Sequence, residues 1–234
     1  MSKSAALIFD LDDTLINTMD LYRQAVDDFV REMIKAGFQE LEARRELNRI
    51  DVENLKRLGF SRERFPTSMI QTYEFLCERH GMEPIDAVRN QCWTIGNSVF
   101  EQTPHLIDGV KVALSALRDR FRLILLTKGD RTIQEARLDQ TDLRSFFEST
   151  HIVPDKNEEE LANLVYHEDL DPIHTWVIGD SPRSDIHPAL GVGLRCVWIP
   201  KNTWDAEHQD VDTSKVVILD SLYQLAEFFT SLPT

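Results

Sequence analysis

The stretch Leu7-Ile8-Phe9-Asp10-Leu11-Asp12-Asp13-Thr14 decides the fold of this chain. Its apolar run shows no polar alternation, which predicts a strand buried on both faces, as in a parallel sheet. Because Asp is depleted in strands, Asp10 and Asp12 should mark the carboxyl end of this strand, where open α/β sheets bind ligands. The same residues could instead begin an ordinary turn.

Polar side chains recur at the ends of two further predicted strands and in the loop between them. The segments are residues 123–130, 154–157 and 176–185. Strands that are parallel neighbours would bring Asp10, Thr127 and Asp180 to one edge of the sheet. Lys156 precedes a predicted helix, and Asp185 follows the third strand. The four segments together favour a ligand site over unrelated turns.

These segments resemble the signature of the haloacid dehalogenase-like (HAD) hydrolase superfamily. That signature is Asp-x-Asp-x-Thr, then a Ser or Thr after a second strand, then a Lys, then Gly-Asp with a further Asp downstream. The matching positions are Asp10, Asp12, Thr14, Thr127, Lys156, Gly179, Asp180 and Asp185. The resemblance covers residues 5–14 and about 106–200 and implies the α/β fold of that superfamily.

The chain between the first two segments has a different character. From about residue 17 to about 104 it contains repeated helical spacing and no buried-strand run. Helices are predicted around 21–33, over 67–80 and from Pro84, whereas 41–58 could form one helix or two. The resemblance implies that this block, residues 17–104, is an α-helical cap that acts as a lid. It could also be only an extra packing layer.

The remainder, residues 1–16 and 105–234, is predicted to form the α/β core. After Pro104, strand patterns alternate with helical patterns. The later strands are predicted over 123–127, 151–153, 175–179, 195–199 and 216–219. Single helices between strands imply right-handed crossovers and a doubly wound, Rossmann-like parallel sheet.

The resemblance also implies a role for each carboxylate. Asp10 would be the nucleophile that forms an aspartyl-phosphate. Asp12 would be the general acid and base, and its backbone carbonyl would bind Mg²⁺ together with Asp10 and Asp180. Asp185 would orient Lys156 or a metal-bound water. Asp180 and Asp185 could also be an ordinary helix N-cap and a surface acid.

The remaining signature residues would bind the phosphoryl group. Thr127 would donate a hydrogen bond to a phosphoryl oxygen, and Lys156 would neutralise developing charge. Alone, Thr127 could be a plain strand-end residue and Lys156 a solvated one. Thr14 is expected to shape the turn after the first strand. Lys128 stands where many relatives have Asn, and it could add positive charge at the phosphate or face solvent.

Composition excludes several classes of partner. The formal net charge is −14, from 26 basic and 40 acidic residues. This balance argues against sequence-independent nucleic-acid binding and against an anionic membrane surface. The apolar runs are far shorter than the roughly 20 residues that span a bilayer, and the first strand leaves no room for a signal peptide. We expect a cytoplasmic enzyme and predict no particular oligomeric state.

The sequence therefore predicts a Mg²⁺-dependent phosphatase that hydrolyses a small phosphorylated metabolite through an aspartyl-phosphate. The second acidic residue, Asp12, counts against the dehalogenases of the superfamily, which keep only the first Asp. A phosphomutase or a phosphonate hydrolase of the same superfamily remains an alternative. So does a non-catalytic binding protein with the same fold.

Overall fold

The computed structural model describes residues 5–201 and 204–231 of the chain. The chain divides into two compact units. One unit takes in the residues up to 17 and those from 105 onwards, and the other is Thr18–Pro104.

The first unit is built on a parallel sheet. The strands of the described chain are β1 (Ala6–Phe9), β2 (Ile16–Asn17), β3 (His105–Leu106), β4 (Arg122–Lys128), β5 (Ser149–Val153), β6 (Thr175–Gly179), β7 (Arg195–Trp198) and β8 (Val217–Ile218). Six of them form one sheet in the order β5-β4-β1-β6-β7-β8, and every neighbouring pair is parallel. The predicted doubly wound α/β fold is confirmed.

The register of this sheet determines where the signature residues lie. Phe9, the last residue of β1, pairs with Leu125 of β4 and with Ile178 of β6. All three strands run in the same direction, so the residues that follow them emerge at one edge. Asp10, Thr127 and Asp180 share this edge.

The helical unit contains α1 (Met19–Lys35), α2 (Glu40–Leu58), α3 (Arg64–Arg79) and α4 (Asp86–Glu101). These helices enclose a hydrophobic cluster of their own, which includes Phe29, Met33, Met69 and Leu76. The ambiguous segment 41–58 is a single helix, and the helix expected from Pro84 begins two residues later.

Within the described residues, five further α-helices accompany the sheet: α5 (Val110–Leu117), α6 (Arg131–Gln140), α7 (Glu158–His167), α8 (His187–Gly191) and α9 (Leu222–Ser231). Leu7 and Phe9 belong to a hydrophobic cluster with residues of α5 and α9. Ala6 and Ile8 belong to a second cluster with residues of α7 and α8. The alternation shows why β1 is apolar at every position: both of its faces are buried.

Two short strands were not predicted. β2 and β3 form a separate antiparallel pair in which Ile16 lies opposite Leu106. Two-residue strands are too short to show a period of two, so the sequence pattern gives no signal for them. Among the described residues, every helix is too short or too polar to cross a membrane.

Candidate active site

Asp10 is the centre of the site. It follows β1 directly, and its backbone N–H donates to the carbonyl of Ile178 at 3.0 Å, which continues the sheet ladder past Phe9. Its side chain is buried, and Oδ1 accepts a hydrogen bond from Lys156 Nζ at 2.5 Å. Oδ2 is also buried and has no hydrogen-bond partner within the described chain. A buried carboxylate oxygen in this state calls for a cation or a ligand.

Two more carboxylates lie beside Asp10. Carboxylate oxygens of Asp10, Asp180 and Asp185 all lie within 4.8 Å of one another. Asp180 follows β6, and its Oδ1 accepts a hydrogen bond from the Thr14 hydroxyl at 3.5 Å. Thr14 therefore contacts the carboxylate cluster, a role beyond the turn that the sequence analysis gave it.

Lys156 connects two members of this cluster. It lies in the loop between β5 and α7, next to Asn157, whose side chain caps α7 by accepting from the N–H of Glu160 at 2.9 Å. Besides Asp10, Lys156 Nζ donates to Asp185 Oδ1 at 2.6 Å. The other oxygen of Asp185 accepts from the backbone N–H of Ser181 at 3.0 Å. Asp185 thus holds Lys156 in place with both of its oxygens engaged.

Burial and like charge perturb the acids of the cluster. Burial, with added repulsion from Asp185 and Asp12, raises the pKa of Asp10 to about 7 although Lys156 opposes the shift. Burial and the neighbouring carboxylates Asp10 and Asp185 raise the pKa of Asp180 well above its ordinary value. For Lys156, burial acts to lower the pKa, but Asp10 and Asp185 outweigh it and raise the pKa. One ammonium therefore does not neutralise the whole cluster.

The donor set fits a divalent cation. It offers carboxylate oxygens, which Mg²⁺ prefers. It also has a surplus of buried negative charge and an unpartnered Oδ2 on Asp10. Asp10 and Asp180 are the residues with oxygens to offer, whereas both oxygens of Asp185 already accept hydrogen bonds. The side chain of Asp12 lies outside this cluster, so only its backbone carbonyl enters the predicted ligand set.

Gly179 is required by the position of Asp185. A Cβ added to Gly179 would lie 2.2 Å from Cγ of Asp185, far inside van der Waals contact. The Gly-Asp pair at the end of β6 therefore has a steric cause: the strand must lack a side chain where the Asp185 carboxyl packs against it.

Asp12 is held by residues that the sequence analysis did not identify. Arg137 Nη1 donates to Oδ1 of Asp12 at 3.0 Å and to Oδ2 at 2.9 Å. Gln134 Nε2 donates to the same Oδ2 at 2.9 Å and to the Thr127 hydroxyl at 2.8 Å. Both partners lie one turn apart on α6, the helix that follows Thr127. The signal that could have revealed them is a polar pair at helical spacing on a helix expected to pack on the sheet.

The signature and its geometry agree with a comparison against known families. The sequence profile of the family described as haloacid dehalogenase-like hydrolase matches residues 5–193. The chain belongs to this family. The resemblance inferred from the sequence motifs is confirmed, and with it the prediction of a hydrolase.

Relatives of this HAD-like hydrolase include characterised enzymes and solved structures. The chain is 27% identical over 210 residues to the mouse protein named N-acylneuraminate-9-phosphatase, covering 86% of this chain and 85% of the relative. A haloacid dehalogenase-like hydrolase from Xanthomonas campestris superposes with a TM-score of 0.81 at 25% identity, covering 98% and 96% of the two chains. The putative HAD-hydrolase YfnB from Bacillus subtilis, solved bound to magnesium, has the same fold, with a TM-score of 0.66, 20% identity, and 97% and 99% coverage.

The residue after Thr127 departs from the signature that the sequence resembles. Lys128, which follows Thr127, forms an ion pair with Glu207 Oε2 at 2.6 Å and donates a hydrogen bond to the Ser184 hydroxyl. The same Glu207 oxygen accepts from the Ser181 hydroxyl at 2.7 Å. Burial acts to raise the pKa of Glu207, but Lys128 and the two serines outweigh it and lower the pKa. Lys128 therefore connects β4 to the segment that carries Asp180 and Asp185.

Proposed function

We propose that this chain is a Mg²⁺-dependent phosphatase that hydrolyses phosphate monoesters of small metabolites through an aspartyl-phosphate intermediate. The observation that carries the proposal is the state of Asp10. It is a buried carboxylate with one oxygen bound to Lys156 and one without a partner, at the sheet edge that also holds Thr127 and Asp180. The phosphatase named among the relatives supports the same reaction class.

In the first step, a carboxylate oxygen of Asp10 attacks phosphorus and the bond from phosphorus to the leaving oxygen breaks. Asp12 protonates the departing alkoxide. Thr127 donates a hydrogen bond to a phosphoryl oxygen, and Lys156 balances the charge that Asp10 carries before attack. Mg²⁺, when bound by Asp10, Asp180 and the carbonyl of Asp12, would reduce the repulsion between the anionic nucleophile and the anionic phosphoryl group.

In the second step, water attacks the phosphorus of the aspartyl-phosphate. Asp12, now a carboxylate, accepts a proton from this water, the acyl phosphate bond breaks, and Asp10 is restored. Asp185 keeps Lys156 oriented throughout, since both of its oxygens accept fixed hydrogen bonds.

The test is phosphate release by the purified chain, with Mg²⁺ and with excess EDTA, from a panel of substrates. The panel contains an aryl phosphate, N-acylneuraminate 9-phosphate, sugar phosphates, nucleotides, phosphorylated acids and a phosphonate. We expect release that EDTA and Asp10→Asn each abolish. Asp212→Asn is the matched control, because this carboxylate is exposed and pairs with Lys215.

Other outcomes would assign a different function. Isomerised sugar phosphate without phosphate release would indicate a phosphomutase, and release from a phosphonate alone would indicate a phosphonate hydrolase. A chain that turns over none of the panel with Mg²⁺ present would contradict the proposal in favour of a non-catalytic binding protein.

A further inference from the structure

The two side chains that contact the Asp12 carboxylate, those of Arg137 and Gln134, are buried, and burial of polar groups costs free energy. Arg137 is 6% exposed and Gln134 is 2% exposed. Burying a guanidinium is expensive unless its partners compensate for lost hydration. Here the guanidinium donates to both oxygens of the Asp12 carboxylate, whose side chain remains 29% exposed. A buried cation and a buried amide therefore support a carboxylate that is itself partly exposed to solvent.

The three side chains form a closed triangle. Arg137 Nη1 donates to Gln134 Oε1 at 3.2 Å as well as to both oxygens of Asp12. Gln134 Nε2 shares its two N–H groups among three acceptors, which are Asp12, Thr127 and the carbonyl of Lys128 at 2.8 Å. The last contact fixes the amide against the end of β4. Each member restrains the other two, so the two side chains from α6 fix the orientation of the Asp12 carboxylate.

The triangle also reaches the phosphate-binding hydroxyl. The same Nε2 of Gln134 contacts both Asp12 Oδ2, at 2.9 Å, and Thr127 Oγ1, at 2.8 Å. One amide nitrogen therefore sets the spacing between the acid and base of the proposed reaction and the group that would contact the phosphoryl oxygens.

We propose that Arg137 and Gln134 are positioning residues that hold the Asp12 carboxylate beside Thr127 and thereby make the enzyme competent for alkyl phosphate esters. This inference rests on the proposed function. An alkoxide is a poor leaving group and needs a proton as it departs, whereas a nitrophenolate leaves without one. A misplaced Asp12 should therefore harm alkyl esters far more than activated aryl esters at the first step.

The experiment measures the first step directly. Single-turnover release of the leaving group is followed for a series of esters from 4-nitrophenyl phosphate to an alkyl phosphate, with Mg²⁺ at saturation. We expect Arg137→Met to slow the alkyl ester by about 10- to 100-fold, within the usual contribution of general acid catalysis. Release of nitrophenolate should change by less than about threefold, since that step needs no proton. Arg137→Lys should recover part of the loss.

A double variant separates positioning from a general structural role. If Arg137 acts through Asp12, then Asp12→Asn combined with Arg137→Met should be no slower than Asp12→Asn alone. Gln134→Met provides the same comparison where Arg137→Met fails to fold. Arg131→Met is the matched control on the same helix, because its side chain is 70% exposed.

Equal losses across the ester series, or losses that add fully to those of Asp12→Asn, would overturn the inference while the proposed function stands. An unmodified protein that is inactive on every ester would overturn the proposed function and this inference with it.

Discussion

Lys156 and Asp10, which are distant in the sequence, form a buried ion pair in which Nζ and Oδ1 are separated by 2.5 Å. Both side chains are almost fully buried, at 4% and 8% exposure. A pair in this environment gains little net stability over an apolar pair, but removing one partner leaves an uncompensated charge. Stability alone therefore does not account for the pair, and strongly perturbed ionisable groups of this kind are typical of functional sites.

Lys156→Met should test this pair. We expect the free energy of unfolding to fall by about 3 kcal/mol, the usual cost of leaving a buried charge unpaired. Turnover should fall by about 10² to 10³, because a charge-stabilising donor is lost. Urea unfolding and phosphate release measure the two effects. Lys111→Met, on the exposed face of α5, is the control and should change neither. A fully active Lys156→Met variant would contradict the assignment.

Metal binding should depend on pH, and the direction of this dependence follows from the raised pKa values of Asp10 and Asp180. The pKa of Asp10 is raised from its ordinary value of 3.8 to about 7, so Asp10 binds more protons in the folded metal-free protein than in the unfolded chain within this window. The pKa of Asp180 is raised well above 3.8, which acts in the same direction. The contribution of these two acids to stability therefore falls as pH rises through this window. A bound cation requires the deprotonated acids and should reverse the loss.

We therefore expect Mg²⁺ to raise the Tm at pH 7.5 and to raise it much less at pH 5.5. Asp180→Asn should remove most of the shift at pH 7.5, whereas Asp212→Asn should leave it intact. A thermal unfolding series with and without Mg²⁺ measures this. A shift of equal size at both pH values would show that the cation binds elsewhere.

The sequence was sufficient for the parts of the site that local pattern encodes. Each buried strand that ends in a polar residue brings that residue to one edge of the sheet, and the structure has Asp10, Thr127 and Asp180 together at that edge. The supporting contacts were not predicted, because they join residues distant in sequence through side-chain geometry. The helical spacing of Gln134 and Arg137 places them on one face of α6, but it does not show that Gln134 contacts Asp12. The contact of Glu207 with Lys128 has no periodic signal at all.

Gly179→Ala should show that the glycine is needed for packing against Asp185. The added Cβ would meet Asp185 Cγ at 2.2 Å, and the strand cannot move without disturbing β1 and β7 on either side. We expect a loss of about 1–3 kcal/mol in the free energy of unfolding, as for other overpacked sites. Combining it with Asp185→Ala should restore part of the stability while activity stays low. If the single variant is as stable as the unmodified protein, the steric argument is wrong.

Glu207→Gln should separate the charge of Glu207 from its hydrogen bonds. Glutamine keeps an oxygen that can accept from the Ser181 and Ser184 hydroxyls, but it loses the negative charge that faces Lys128 at 2.6 Å. We expect the variant to be less stable than the unmodified protein at pH 7 by about 1.5–3 kcal/mol, the range for hydrogen bonds to charged groups.

The difference should also depend on pH, because the pKa of Glu207 lies below its ordinary value of 4.5 in the folded protein. A lowered acid pKa contributes stability that is present above the ordinary value and is lost as pH falls through the folded-state value. The difference in the free energy of unfolding between Glu207→Gln and the unmodified protein should therefore be largest at pH 7 and should decrease below pH 4.5. Urea unfolding at pH 7 and at about pH 3.5 measures both differences, and Glu227→Gln on α9 is the exposed control. A difference that is constant across this range would mean that the Glu207 charge does not stabilise the link between β4 and the segment carrying Asp180.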